Sequence, residues 1–194
     1  MTTVVVPFRS GGKTRLPEEI RVEVALAMLG DVLEACVEHG CDVRLVTDDG
    51  AASLVADGLG VELVDDPGGG QGAAVAAGLR GLDGVCLVVN ADLPRIRPSD
   101  LTALAYAPHA GAAAIVPAAD GTTNALGLPH AEVFQPLYGP ESAAQFRAHV
   151  IALGVFLHDL DLPNLRADVD TADDLKRMGS GGGRRTRALM QVVA

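Results

Sequence analysis

The chain has 194 residues, 48% of them hydrophobic and 21% charged, a globular composition with enough length for one sizeable core. Its 15 Lys and Arg against 25 Asp and Glu give a formal charge of −10, which disfavours phosphate-backbone binding and so nucleic-acid partners. The three cysteines (Cys36, Cys41, Cys86) fit neither a disulfide framework nor a zinc signature, no secretory leader is visible, and no apolar run approaches the roughly 18 residues of a membrane span; a soluble, cytoplasmic, reduced protein is expected.

Thr3 to Pro7 is a short β-branched run and predicts a strand buried on both faces. Arg9 to Leu16 is loop-like, and Pro17-Glu18-Glu19 opens a helix with acids at the positive end of its dipole. Apolar residues at helical spacing run from Ile20 to Glu38, and Gly40 ends the segment. Val43 to Thr47 predicts a second strand, Ala51 to Leu59 a short helix, and Val61 to Val64 a third strand closed by Asp65-Asp66-Pro67. Gly68 to Gly72 then opens a helix of small residues, Ala73 to Leu82, able to approach a sheet closely. Val85 to Val89, the most apolar strand, runs straight into Asn90-Ala91-Asp92-Leu93-Pro94. A helix starts at Pro98-Ser99-Asp100, and Ala112 to Val116 is another strand. This alternation predicts an α/β fold with a mainly parallel central sheet flanked by helices. Further on, Asn124 to Leu128 reads as a strand, Pro140 to Leu153 as a helix, and Arg166 to Asp170 as a terminal strand before a short helix capped by Thr171. Residues 179–194 begin SGGG with clustered arginines and read as a flexible tail or a packing arm, leaving 1–178 as one domain.

Ligands of open parallel sheets sit beyond the carboxyl ends of the strands, and four motifs fall there. In the first, Gly11 and Gly12 let backbone amides turn towards an anion while Arg9, Lys13 and Arg15 supply positive charge, which suits a nucleoside triphosphate; a solvated turn is the alternative. It is not a Walker loop, because Pro7 takes the first glycine's place and Pro17 would fall inside the required helix. Asp92, directly after an apolar strand, is placed either to hold a cation such as magnesium or to cap the turn before Pro94. Asp168 and Asp170 alternate along the predicted terminal strand, so both share a face and either completes a metal site with Asp92; one of them reads equally as a helix cap. Asp65 and Asp66 are weaker metal candidates in a turn. The glycine run offers backbone for a base or ribose, with Gln71 available for hydrogen bonds. Gly68, Gly70 and Ala73 also satisfy a loose dinucleotide fingerprint, but residues 65–67 separate it from its strand, so an NAD oxidoreductase ranks last. Asp120 to Asn124 and Tyr138 to Ser142 suit a phosphate or carboxylate, and ordinary turn chemistry explains them as well. The 5 histidines show no metal spacing, and the cysteines read as packing residues.

Taken in order from about residue 4 to residue 176, VPFRSGGKTRL, GGGQGAAVAAGL, NADLP, DGTTNAL, YGPES and DVDTADDL resemble the 2-phospho-L-lactate and phosphoenolpyruvate guanylyltransferases of deazaflavin coenzyme biosynthesis. The resemblance implies a single-domain GT-A-like nucleotidyltransferase fold. It also implies transfer of GMP from GTP to the phosphate of a three-carbon phospho-acid, with Mg2+ as cofactor, release of pyrophosphate and a downstream transferase as partner. On this resemblance Lys13 and Asp92 are catalytic, and Arg9, Gly11, Gly12, Lys13, Arg15, Gln71 and Gly72 hold the nucleotide. Asp92 and Asp168 hold the metal, and Thr123, Gly139 and Ser142 hold the acid. This chain has Ala91 where the family usually has Gly, Gly72 where Asn is common, and Ala143 and Phe146 where an aromatic residue and then His are frequent. Another nucleotidyltransferase with a different acceptor and a non-catalytic nucleotide-binding module are the alternative readings.

Overall fold

The computed structural model describes residues 2–9, 16 and 18–193. Through the first half, β1 (Thr2–Pro7), α1 (Glu18–His39), β2 (Asp42–Thr47), α2 (Gly50–Asp57), β3 (Glu62–Asp65), α3 (Gln71–Leu79), β4 (Val85–Val89) and α4 (Pro98–His109) alternate as the sequence predicts. They are followed by β5 (Ala113–Pro117), β6 (Thr123–Leu128), α5 (Ser142–Ala152), β7 (Leu157–Asp159), α6 (Pro163–Arg166), α7 (Ala172–Met178) and α8 (Arg184–Val193). Local chemistry sets several boundaries. Asp49 caps α2 by accepting from the amides of Ala51 (2.9 Å) and Ala52 (3.0 Å). Pro98 opens α4, and Asp100 accepts from the Arg97 amide at 2.8 Å to hold its first turn. Thr171 and Asp174 form a reciprocal capping box at α7, the cap read from the sequence.

Seven strands form one sheet in the order β3-β2-β1-β4-β6-β5-β7. Every neighbouring pair is parallel except those made by β6, which runs antiparallel between β4 and β5. Residues of alternating parity divide between two layers. Val4, Val6, Leu45, Leu87 and Val89 face α1, α2 and α4, whereas Val5, Val46, Cys86 and Val88 face α3 and α5. All five residues of β4 are buried, which explains its continuous apolar run. Cys36 and Cys86 are buried and Cys41 is half-buried, consistent with packing roles. Among the described residues no helix is long and apolar enough to cross a membrane.

Two expectations are corrected. The predicted terminal strand over 166–170 does not form: α6 ends at Arg166, and the Val169 amide donates to the Asp92 carbonyl at 3.1 Å instead of joining a ladder. The last strand is β7, whose three residues are too few to show an alternation. Of the segment 179–194, residues 179–193 are not a flexible tail but a packing arm: a short 3-10 turn leads into α8, which lies against α1.

The helix of small residues approaches the sheet as its composition anticipates. A Cβ on Gly78 would lie 2.4 Å from Val5 Cγ1 and 2.7 Å from Val46 Cγ2. Gly78→Ala gains up to about 1 kcal/mol of helix propensity but overpacks this interface at a cost of roughly 1–3 kcal/mol. Chemical denaturation is therefore expected to show a net loss of stability. A gain would mean that α3 is not held this close to the strands.

Candidate active site

The parallel strands β1, β3 and β4 end at one edge of the sheet, and β6 begins there. Residues 8–9, 65–66, 90–92 and 123–124 are thereby brought together. Beside them lies a cavity of about 330 Å³ whose polar lining is Arg9, Asp66, Gln71, Asn90, Asp92 and Asp170. Five of these, Arg9, Asp66, Gln71, Asp92 and Asp170, are ligand candidates in the sequence, and the topology gathers them although they are far apart in the chain.

On one wall, Arg9 is bound by Asp66: its Nε and Nη2 donate to the two carboxylate oxygens at 2.5 and 2.8 Å. The Asp66 side chain is 1% exposed and also accepts from the Gly68 amide at 2.9 Å, so it pins both the strand β1 exit and the glycine run. Its hydrogen bond with the Arg9 guanidinium holds this carboxyl below the ordinary carboxylate range. Asp66, a weak metal candidate in the sequence, is thus a latch on the loop that carries Arg9. Gly11, Gly12, Lys13 and Arg15 lie outside the described residues.

Next to Asp66, Gly68, Gly69 and Gly70 all take positive φ (79, 84 and 94°), a path L side chains avoid, and deliver the chain to α3 with no side-chain cap. Gln71 Nε2 donates to Asn90 Oδ1 at 2.7 Å, and Asn90 Nδ2 donates to the Thr123 carbonyl at 3.2 Å. Asn124, buried on β6, donates to the Arg166 carbonyl at 3.2 Å and makes a long contact of 3.5 Å to Asp168. Asn124 belongs to the segment read from the sequence as suited to a phosphate or carboxylate, whereas Asn90 carries no such signal, because an Asn after a strand is also common turn chemistry. Gly72 is closed in by Pro136: a Cβ there would sit 2.7 Å from Pro136 Cβ, so the asparagine common in the similar family has no room here.

At the floor, Asp92, Asp168 and Asp170 place carboxylate oxygens within 4.8 Å of one another, each residue half-buried. Residues 167–170 reach this cluster without a strand, and Val169 turns into the core between the two acids. Burial, followed by the charges of Asp92 and Asp170, pushes the Asp168 carboxyl up to about 6. Neither Asp168 nor Asp170 is the cap of α7, which is Thr171. Three hard oxygen donors converging beside a cavity, with burial and the neighbouring charges raising the Asp168 carboxyl, fit a small divalent cation.

Thr123, Gly139 and Ser142 are also brought together. The Ser142 Oγ donates to Thr123 Oγ1 at 3.1 Å, and the Ser142 amide donates to the Gly139 carbonyl at 3.1 Å. Both hydroxyl residues are buried, so their side chains bond to each other rather than facing the cavity. Ala143 and Phe146 are core residues: Phe146 meets Tyr138 edge-on at 5.3 Å and Phe134 at 6.1 Å between ring centroids.

The family model described as the MobA-like NTP transferase domain matches residues 22–168. The phosphoenolpyruvate guanylyltransferase of Nocardia farcinica is 38% identical over 192 residues, with 92% of this chain and 83% of that protein covered. The protein of the same name from Streptomyces scabiei is 35% identical, covering 96% of this chain and 94% of its own. Among solved structures, a nucleotidyl transferase from Methanothermobacter thermautotroptrophicus superposes with a TM-score of 0.71 at 18% identity over 98% of this chain and 99% of that one. The molybdopterin-guanine dinucleotide biosynthesis protein A of Archaeoglobus fulgidus superposes with a TM-score of 0.59 at 18% identity over 99% of this chain and 100% of that one.

The raised Asp168 carboxyl sets a pH dependence for the protein stripped of metal. Its folded value of about 6 exceeds the roughly 3.9 of an unfolded Asp, so the stability tied to its proton is complete at low pH and is lost as pH rises from 4 through 6. In chelator, Asp168→Asn is therefore expected to melt higher than the parent at pH 8, with the gap closing towards pH 4. A variant that melts lower at pH 8 would show that the three carboxylates do not strain one another.

Proposed function

Because the chain belongs to the MobA-like NTP transferase domain family, on the branch of the phosphoenolpyruvate guanylyltransferases, we propose that it transfers GMP from GTP to the phosphate of phosphoenolpyruvate or 2-phospho-L-lactate and releases pyrophosphate. The convergence of Asp92, Asp168 and Asp170 beside the cavity at the strand ends carries this reading.

No protein nucleophile is needed. A phosphate oxygen of the acid attacks the α-phosphorus of GTP, the bond from that phosphorus to the oxygen bridging to the β-phosphate breaks, and pyrophosphate leaves with the bonding pair. Two polyanions must meet on a protein that is itself acidic, so the barrier is set by charge crowding and alignment. Asp92 and Asp168, with Asp170 as a third carboxylate, would hold a magnesium ion, which when bound would supply charge that offsets this crowding. Lys13 and the arginines of its loop add to that offset along the triphosphate. Arg9 reaches the triphosphate only by exchanging or sharing its bond to Asp66. The unpaired amides at the start of α3 present positive partial charge towards the cavity, and Gln71, steadied by Asn90, offers its amide to the nucleoside. Gly72, pressed on Pro136, keeps that wall flat. Gly139, with Thr123 and Ser142 behind it, shapes the acid side of the site. Reaction in the reduced cytoplasm and hand-over of the product to a downstream transferase complete the proposal.

A second acceptor is the one competing reading, favoured by the sealed hydroxyls of Thr123 and Ser142. Pyrophosphate release measured with magnesium, each of the four nucleoside triphosphates, and phosphoenolpyruvate, 2-phospho-L-lactate or 3-phosphoglycerate in turn decides between them. Release is expected only with GTP and one of the first two acids. Release with GTP and none of the three acids would favour a different acceptor, and no release at all would contradict the proposal. Asp92→Asn is expected to lower turnover by about 10²–10³-fold while leaving the circular dichroism spectrum unchanged; unaltered turnover would remove Asp92 from the mechanism.

A further inference from the structure

We infer that helix α8, docked by Asp31, is a positioning element for the carboxylate cluster, a role that rests on the metal-assisted transfer proposed above. Asp31 is 5% exposed on α1, and its carboxylate accepts the amides of Arg185 at 2.7 Å and Thr186 at 3.0 Å. An acid from early in the chain therefore caps the first turn of its last helix, and a buried carboxylate is tolerated only when its oxygens are satisfied in this way. One turn further along α1, Glu34 accepts from Arg184 at 2.7 Å and Arg185 at 2.8 Å. Although burial opposes it, the two guanidinium groups hold the Glu34 carboxyl below its usual value. The fit leaves no spare volume: a Cβ on Gly30 would lie 2.3 Å from Arg185 Cδ, and one on Gly183 2.3 Å from Asp31 Cγ.

The docked segment reaches both chain stretches that carry the cluster. The Gly183 amide donates to the Pro94 carbonyl at 2.6 Å, two residues beyond Asp92. Arg95, next in that loop, donates to the carbonyls of Arg177 at 3.3 Å and Met178 at 3.1 Å, closing the end of α7. Leu189 and Met190 of α8 pack on a small separate core made by Leu16, Val24, Met28, Val169, Leu175 and Met178. Val169 is 3% exposed there and stands between Asp168 and Asp170, while Leu16 follows the basic segment of Lys13 in the chain. Removing α8 opens this core, frees Val169 to move, and so loosens two of the three carboxylates against the third.

The test compares the full-length chain with one ending at Ser180 and with full-length Gly183→Ala, in which the added methyl displaces Asp31. Mn2+ affinity is read by electron paramagnetic resonance without nucleotide, and GMP transfer is read separately, both well below each variant's melting midpoint. Both variants are expected to bind Mn2+ about 10–100-fold more weakly and to lose kcat by a similar factor, with KM for the acid unchanged. If the shortened chain does not fold, Gly183→Ala decides. A folded variant with a lowered melting midpoint and full-length Mn2+ affinity would overturn the inference, leaving α8 a purely structural cover. A full-length chain that binds no Mn2+ would overturn it too. A full-length chain that binds Mn2+ but transfers no GMP would contradict the proposed function, and the Mn2+ comparison would still judge the role of α8.

Discussion

Three carboxylates held within 4.8 Å of one another are the electrostatic constraint at this site, and contacts from the C-terminal half hold them there. At an effective dielectric of about 20, each such pair of full charges repels by roughly 3–4 kcal/mol. Burying one valine returns only about 1.5–3 kcal/mol, so Val169 alone cannot anchor Asp168 and Asp170 against that repulsion. A proton on Asp168 relieves it below about pH 6, and a divalent cation bound there would relieve it above. The remaining restraint is geometric: the Val169 amide on the Asp92 carbonyl, the Asn124 amide behind the segment, and the small core covered by α7 and α8.

Sheet topology turns that restraint into a site. Because β4 is central, parallel to β1 and bordered by the reversed strand β6, its carboxyl end delivers Asn90 and Asp92 between the exit of β1 and the start of β6. One side of Asn90 receives Gln71 from the start of α3, and the other gives to the carbonyl of Thr123. Gln71, the carboxylate of Asp92 and the start of β6 at Thr123 are therefore tied to one strand end. Strands and helix starts hold such constellations more tightly than free loops do.

The first half of the fold is legible in the sequence because its strands are short β-branched runs buried on both faces, with helices whose caps are chemical. Asp49, Pro98 and Thr171 act as the residue types require. What escapes is set by tertiary context. The antiparallel direction of β6 follows from pairing with β4 and β5, and nothing in Thr123–Leu128 encodes it locally. Arg166 to Asp170 imitates a strand because Val169 is buried between two polar neighbours, and the same alternation correctly put both acids on one side although no ladder forms. Of the candidate site, Asp92 and Gln71 could be found from their positions after a strand and after glycines, and Asp168 from its alternation with Asp170. Asp66 as the partner of Arg9, and Asp31 as the cap of a helix more than 150 residues away, have no local signature.

Binding of a divalent cation by the three carboxylates is the claim on which the chemistry and the role of α8 both depend. The most direct test is a crystal grown with Mn2+ and a non-hydrolysable GTP analogue, with anomalous differences collected near the manganese edge. The account predicts a peak among Asp92, Asp168 and Asp170, in contact with phosphate oxygens of a nucleotide lying along the cavity of Gln71 and Asn90. Nucleotide in that cavity with no anomalous peak at the carboxylates, or a peak elsewhere on the molecule, would contradict it.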